Sequence, residues 1–217
     1  MDRRMFMKNG LLAVLGTGLT AQSVLFPHKM AHAASAEGDK KMKILVLTGS
    51  PRKNGNSNTL ADNFIKGATE KGHEVVRFDA AEREVHPCIA CNSCGMDGPC
   101  VFDDDFEFVR KHIIDAKLVV FATPMYYFGI SSQLKAVIDR FYAINGQIHV
   151  HKKAVLLMCY ANNSRQNELP IVTHYEELLS YLGWEDAGRV IAPGVWTEGS
   201  VQRTKFPAMA YELGKSI

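Results

Sequence analysis

The run KILVLT at residues 43–48 is apolar and rich in β-branched side chains, and GSPRKNGNSNT at residues 49–59 follows it directly. The apolar run at residues 43–48 predicts a buried strand. Apolar or small side chains then recur at Leu60, Phe64 and Ala68, which is the spacing of a helix over residues 59–71 that ends at Gly72. A buried strand, a polar loop and a helix in this order predict a βα unit.

The same alternation continues to the end of the chain. Strand and helix alternate five times, which predicts a parallel, doubly wound α/β sheet joined by right-handed crossovers. Ligands bind such sheets at the carboxyl ends of the strands, so the loops there are the places to search for a site. The other strands are predicted at 74–78, 118–122, 154–159 and 185–192, and the other helices at 103–115, from Ser131 or Ser132 to Tyr142, at 171–182 and from about Phe206.

The loop after the first strand combines hydroxyls, amides and two glycines. Backbone N–H groups at a helix start, together with such side chains, form a cradle for a phosphate group. The loop lacks the Walker lysine and the Gly-x-Gly-x-x-Gly pattern, which argues against a nucleoside triphosphate or an ordinary Rossmann dinucleotide. A polar loop with a simple helix cap has the same composition, and both interpretations remain open at this point.

The loop after the third strand reads TPMYYFGIS at residues 123–131. Pro124 and Gly129 bend the chain, and the aromatic side chains between them offer faces on which a flavin ring can stack. The alternative is that Tyr127 and Phe128 are core aromatics. The loop after the fourth strand, residues 160–163, is short and rich in amides, and Cys159 before it is interpreted as a buried apolar residue.

Four of the five cysteines lie between residues 88 and 100, in the pattern Cys88-x2-Cys91-x2-Cys94-x5-Cys100. Four closely spaced thiolates on an irregular backbone form the ligand set that a [4Fe-4S] cluster needs. Zinc, a metal-free group of thiols and disulfides are the alternatives. The acidic run Asp103 to Asp105 is interpreted as the charged start of a helix.

Two of these motifs resemble one family. The segment 49–57 is similar to the phosphate loop of the NADPH-dependent FMN reductase-like branch of the flavodoxin superfamily, and Pro124-x-Tyr126-x4-Ser131 to its flavin-ring loop. The cysteine spacing resembles that of the iron-sulfur flavoproteins within this branch. The resemblance implies a flavodoxin-like five-stranded sheet in the order 2-1-3-4-5 with helices on both faces. It implies that FMN contacts Ser50, Arg52, Asn56, Ser57, Asn58, Thr59, Pro124, Met125, Tyr126, Tyr127, Phe128, Gly129 and Asn162, and that Cys88, Cys91, Cys94 and Cys100 bind the cluster.

The resemblance implies an FMN-dependent oxidoreductase that exchanges electrons between FMN and a [4Fe-4S] cluster. The expected redox partners are NAD(P)H, a quinone or an electron-transfer protein, and the expected assembly is a homodimer or homotetramer. One alternative is an NAD(P)H-dependent flavin or quinone reductase without a cluster. The other is a non-catalytic binding protein on the same scaffold, stabilised by a metal or by disulfides.

The first 33 residues have the features of a twin-arginine export signal. Arg3-Arg4 precedes Phe6 and Lys8, an uncharged stretch follows to Phe26, and residues 31–33 offer a small-x-small cleavage site. An uncleaved membrane anchor and a general secretory signal are the alternatives. Residues 34–41 are then a short lead-in, and 42–217 are the FMN-binding domain with a cysteine-rich loop at 86–102.

The charge of the chain bears on its partners. Removing four basic residues and one acidic residue with the signal reduces 25 Lys and Arg and 23 Asp and Glu to 21 and 22. A nearly neutral mature protein has no basic surface field, which argues against nucleic acid as a partner. The predicted location is the periplasm, reached in the folded state through the twin-arginine export machinery.

Overall fold

Five parallel strands form the central sheet of the protein, for which a computed structural model describes residues 41–217. The strand order is β2-β1-β3-β5-β6, with a two-residue strand β4 pairing antiparallel to the end of β3. This confirms the predicted order of the five long strands. The predicted signal peptide and residues 34–40 of the lead-in lie outside the described residues. The strands are β1 Lys43–Thr48, β2 Glu74–Asp79, β3 Leu118–Tyr126, β4 Gly129–Ile130, β5 Lys153–Cys159 and β6 Glu185–Ala192.

The central strands are buried on both faces. Leu45 and Leu47 of β1 point into one apolar core, whereas Ile44 and Val46 point into a second core on the opposite face of the sheet. Side chains alternate between the faces of a strand, so a strand covered on both sides must be apolar throughout. The two cores therefore explain why β1 and β3 appear in the sequence as continuous hydrophobic runs.

Helices cover both faces of the sheet, as predicted. Helices α1 and α6 share the core on one face, and α2, α3 and α5 share the core on the other. Gly67 and Gly214 let α1 and α6 approach closely, because a Cβ atom at either glycine would collide with the backbone of the other helix. Within residues 41–217 no helix is both long and apolar enough to cross a membrane. The helices are α1 Asn56–Glu70, α2 Phe106–Asp115, α3 Ser132–Asp139, α4 Asn145–Ile148, α5 Leu169–Leu182 and α6 Phe206–Ser216.

The start of α2 differs from the prediction. The helix begins at Phe106 and not at Asp103, because the carboxylates before it bond the preceding loop. Asp104 accepts hydrogen bonds from the N–H of Phe106 at 3.1 Å and of His86 at 3.0 Å, and Asp105 accepts one from the N–H of Glu84 at 2.8 Å. Asp104 and Asp105 therefore anchor the chain that leads into the cysteine loop, residues 86–102. The interpretation of the acidic run as the charged start of a helix is incomplete.

Arg140 and Asp104 form a buried ion pair beneath the cysteine loop. Their side chains are 1% and 2% exposed, and Arg140 Nη1 donates to Asp104 Oδ2 at 2.7 Å and to the carbonyl of His86 at 2.9 Å. The guanidinium lies over the rings of Phe102 and Phe106, with its Cζ 5.3 Å and 4.8 Å from their centroids. A buried charge needs such partners to offset its loss of hydration. The pair therefore fixes the cysteine loop to the segment that follows α3.

We expect Asp104→Asn to lower the free energy of unfolding at pH 7 by about 3 kcal/mol, because the Arg140 charge stays buried without its carboxylate. Burial disfavours the charged form of Asp104, but the hydrogen bonds from Arg140, His86 and Phe106 outweigh this effect and lower its pKa. A carboxylate with a lowered pKa stabilises the fold above its unfolded pKa of about 4, and this contribution is lost as the pH falls through the folded value.

Urea unfolding of the wild type and of Asp104→Asn between pH 7 and pH 3 measures this loss. The difference in unfolding free energy should shrink at the acid end of the range. Asp103→Asn is the matched control, since Asp103 is exposed, and it should change stability by less than about 0.5 kcal/mol. A difference between wild type and Asp104→Asn that stays constant down to pH 3 would contradict the assignment.

Candidate functional site

One cavity of about 520 Å³ opens at the carboxyl ends of the parallel strands. Its walls come from the loops after β1, β3, β5 and β6, which follow each other around the same edge of the sheet. This is the edge at which open parallel sheets bind their ligands. The cavity brings together most of the residues predicted to contact FMN.

The loop after β1 is folded tightly around the backbone of Arg52. Ser50 Oγ accepts from the Arg52 N–H at 3.2 Å, and the Arg52 carbonyl accepts from the Gly55 N–H at 2.9 Å and from Asn58 Nδ2 at 3.0 Å. A Cβ atom at Gly55 would collide with Ser50 and with the Arg52 carbonyl. Ser50, Arg52, Gly55 and Asn56 line the cavity, whereas Ser57, Asn58 and Thr59 do not.

The first turn of α1 has free donors and begins at Asn56, which lines this end of the cavity. Gly55 is the N-cap and supplies no side-chain cap, and the first helical bond runs from the Thr59 N–H to the Gly55 carbonyl at 3.0 Å. The N–H groups of residues 56–58 therefore have no acceptor within the helix. Ser57 Oγ is also buried without a hydrogen-bond partner among the described residues. Free donors at the positive end of a helix dipole fit a phosphate group.

Asn56 uses its side chain to hold another loop. Its Nδ2 donates to the carbonyls of Thr197 at 2.9 Å and Val195 at 3.3 Å and to Ser200 Oγ at 3.3 Å, and its Oδ1 accepts from the Val201 N–H at 3.1 Å. The amide is thus fully engaged by the β6–α6 loop, residues 193–205. Only the backbone N–H of Asn56 remains for a ligand.

The loop after β3 is a tight hairpin between β3 and β4. Tyr126 pairs with Gly129, and the two residues between them, Tyr127 and Phe128, have φ angles of 46° and 63°. Positive φ at both central positions is typical of a two-residue hairpin turn and is unfavourable for bulky side chains. Tyr127 is fully exposed and Phe128 is more than half exposed, so the alternative that they are core aromatics is wrong. Residues 124–128 line the cavity, and Gly129 does not.

The loops after β5 and β6 complete the walls. Tyr160, Ala161, Asn162 and Asn167 contribute from the first of these loops, and Val195 and Trp196 contribute from the second. Asn162 Oδ1 accepts from the Ser164 N–H at 2.7 Å, so this amide also braces its own loop. Burial raises the pKa of the Cys159 thiol to about 12. Trp196 was not predicted from the sequence, where its only signal is its place just after a predicted parallel strand.

The cysteine loop forms a second, smaller cavity. Cys88, Cys91, Cys94 and Cys100 all line it, together with the buried Arg140. All four are free thiols, and within residues 41–217 no three His, Cys, Asp or Glu side chains are arranged to hold a metal ion. The four cysteines are thus gathered around one space, and their sulfur atoms do not converge on one centre.

The backbone of this loop is constrained. Ala90, Asn92 and Met96 have φ angles of 55°, 58° and 72°, which non-glycine residues adopt rarely. Hydrogen bonds hold the loop in this shape, from Tyr142 Oη to Asn92 Oδ1 at 2.7 Å and from the Asn145 N–H to the Met96 carbonyl at 2.8 Å. Strained backbone that the surrounding structure enforces is a feature of functional loops.

Known proteins similar to this chain include flavoproteins of two kinds. An iron-sulfur flavoprotein of Methanocaldococcus jannaschii is 35% identical over 99 residues, which is 46% of this chain and 51% of the relative. The putative NAD(P)H-dependent FMN-containing oxidoreductase YwqN of Bacillus subtilis is 27% identical over 70% of this chain and 86% of its own length. The chain spans about half the length of the iron-sulfur flavoproteins that it matches.

Solved structures share the fold. The NAD(P)H:quinone oxidoreductase of Methanothermobacter marburgensis superimposes with a TM-score of 0.67 at 17% identity, covering 82% of this chain and 96% of that one. The Trp repressor binding protein of Bacillus subtilis gives 0.59 at 25% identity, covering 78% and 99%. The sequence model of NADPH-dependent FMN reductases matches residues 42–193, well over half of the chain. The chain belongs to the NADPH-dependent FMN reductase family.

Proposed function

We propose that the protein is an FMN-dependent oxidoreductase. The observation that carries this proposal is the single cavity that joins the uncapped start of α1 to the aromatic hairpin. One end of the cavity offers donors for a phosphate group and the other offers aromatic faces for a ring, which are the two ends of FMN. Its volume of about 520 Å³ lies within the range of about 300–1,000 Å³ that small-molecule sites occupy.

The residues divide between binding the cofactor and bracing the site. Ser50, Arg52 and the N–H groups of residues 56–58 would hold the phosphate, while Asn58 and Thr59 hold the loop in shape. Residues 124–128 would contact the isoalloxazine ring, and Asn162 lies on the neighbouring wall. Bound FMN supplies both one-electron and two-electron transfer, and the protein supplies its orientation and shielding from water.

The redox partners follow from the family. We infer that NAD(P)H or a quinone exchanges electrons with the flavin, because the matched family model describes NADPH-dependent reductases. An electron-transfer protein is the further candidate for a protein that works outside the cytoplasm, where the nicotinamide pool is absent. Assembly into a homodimer or homotetramer remains a prediction.

We further propose that the cysteine loop binds a [4Fe-4S] cluster that exchanges electrons with FMN. The proposal is supported by the shared cavity of the four cysteines, by the enforced backbone of their loop and by relatives that are named iron-sulfur flavoproteins. Binding requires the four side chains to turn toward one centre.

We also propose that residues 1–33 direct export of the folded protein to the periplasm. The support is the sequence alone, in the arginine pair, the uncharged stretch and the cleavage site. A route that carries folded proteins suits one whose cofactors would be lost from an unfolded chain. The proposal also accounts for the net positive charge of residues 1–33 beside a nearly neutral remainder of the chain.

The phosphate assignment is tested with FMN and riboflavin, which differ by the phosphate. We expect Arg52→Ala to raise the Kd for FMN by about 10- to 100-fold, the effect of losing a charge-assisted hydrogen bond, and to leave the Kd for riboflavin unchanged. Flavin fluorescence during titration of the apoprotein measures both constants. Lys53→Ala is the control, because the neighbouring Lys53 is exposed and does not line the cavity. An equal increase in the Kd for FMN and in the Kd for riboflavin would argue against the assignment of Arg52 to the phosphate.

The cluster is tested by protein purified without oxygen. We expect the wild type to contain FMN, iron and sulfide, and Cys88→Ala and Cys91→Ala to lose iron while they retain FMN, because the flavin cavity and the cysteine cavity share no lining residue. Cys159→Ala is the control, since Cys159 lies outside the cysteine loop, and it should retain iron. Retained iron in Cys88→Ala and Cys91→Ala would rule out this ligand set. Wild-type protein with flavin and no iron would favour the reductase without a cluster, and protein with neither would favour the binding protein.

Export is tested by replacing Arg3 and Arg4 with lysine. We expect the double variant to stay in the cytoplasm with its signal uncleaved, because the export machinery reads the arginine pair as an address and not as charge. Cell fractionation and the mass of the periplasmic protein measure the outcome. Lys8→Arg is the charge-conserving control and should be exported. Periplasmic recovery of the double variant at the wild-type level would contradict the twin-arginine assignment.

A further inference from the structure

Trp196 is an exposed tryptophan at the wall of the cavity. Its side chain is 73% exposed, whereas the only other tryptophan, Trp184, is 6% exposed and packs in the core. The match to the family model ends at residue 193, so family membership assigns Trp196 no role. Exposure of this degree also excludes a packing role within the described protein.

The backbone around Trp196 is fixed on both sides. Asn56 donates to the carbonyls of Val195 and Thr197, which are the residues directly before and after it. Val195 is buried, and its N–H donates to the Tyr160 carbonyl at 3.0 Å. The indole is therefore carried by a rigid frame and not by a mobile loop tip. A side chain whose backbone is already ordered loses little entropy when it contacts a ligand.

The hydrogen bonds of Asn56 also connect the backbone around Trp196 to the start of α1. Asn56 opens α1, and its N–H is one of the free donors at the phosphate end of the cavity. Glu198 reinforces the connection by accepting from the Asn54 N–H at 3.2 Å. Trp196 thus shares one wall with the phosphate loop, and the aromatic hairpin at residues 126–128 lines the same cavity from the loop after β3.

Indole faces favour offset stacking on other planar rings. We propose that Trp196 is a ligand-contact residue that stacks on a planar fused ring bound in this cavity. The inference rests on the proposed function, because that function supplies two candidate rings. One is the isoalloxazine of FMN, and the other is the ring of a quinone-like electron acceptor. In either case the indole exchanges contact with water for contact with the ring, and its removal weakens binding of that ring.

The first arm of the test measures FMN binding to apoprotein by flavin fluorescence. If the isoalloxazine is the ring, Trp196→Ala raises the Kd for FMN and for riboflavin by the same factor, about 5- to 30-fold, because the lost contact involves the ring and not the phosphate. Trp196→Phe keeps an aromatic face and should stay within about threefold of the wild type. Tyr181→Ala removes another exposed aromatic, outside the cavity, and should bind FMN as the wild type does.

The second arm measures binding of 1,4-naphthoquinone-2-sulfonate to the FMN-loaded protein by titration calorimetry. If the acceptor is the ring, Trp196→Ala weakens this probe by a similar factor and leaves the Kd for FMN unchanged. Unchanged affinity for both probes in Trp196→Ala would overturn the inference. Wild-type protein that bound no FMN would overturn the proposed function instead, and the naphthoquinone titration of that protein would still decide the role of Trp196.

Discussion

The parallel pairing of the five long strands determines where every loop of the site lies. The pairs run from Ile44 with Leu118 to Thr48 with Ala122, and from Leu118 with Lys153 to Pro124 with Cys159, so the strands end at one edge. Parallel ladders of this kind are stable only when both faces are covered. The two apolar cores therefore do more than stabilise the fold, because they hold four loops from distant parts of the chain around one cavity.

The sequence predicted the elements whose side chains pack in these cores. Apolar runs indicated the three central strands, and the alternation of strands with helices indicated a parallel, doubly wound sheet, whereas the strand order came from the family resemblance. The hairpin at Tyr126–Gly129 was beyond prediction, because Tyr127 and Phe128 are unusual in a turn that favours asparagine and glycine. The start of α2 was also beyond prediction, because it depends on Asp104 reaching His86 and Arg140, which are 18 and 36 residues away.

The polar loop after β1 shows why composition overestimates the number of ligand contacts. Hydroxyls and amides at residues 50–59 suggest a row of phosphate ligands, but Asn58 and Thr59 bond the loop itself and Asn56 bonds residues 195–201. A cradle built on backbone N–H groups needs side chains that fix the backbone. Sequence composition cannot separate the two roles, because the bracing partners of Asn56 lie about 140 residues away.

The two candidate redox sites are joined by one rigid segment. Ser131 donates its N–H to Thr123 Oγ1 at 3.0 Å beside the hairpin and caps α3 through its hydroxyl. The eight residues of α3 span about 12 Å. Arg140 follows directly, and its bonds to Asp104 and to the His86 carbonyl hold the cysteine loop. Electron transfer between two groups slows steeply with their separation, so a flavin and a cluster need a fixed distance between them. In the proposed function, the buried Arg140–Asp104 pair would hold that distance, because it fixes the cysteine loop to the end of α3.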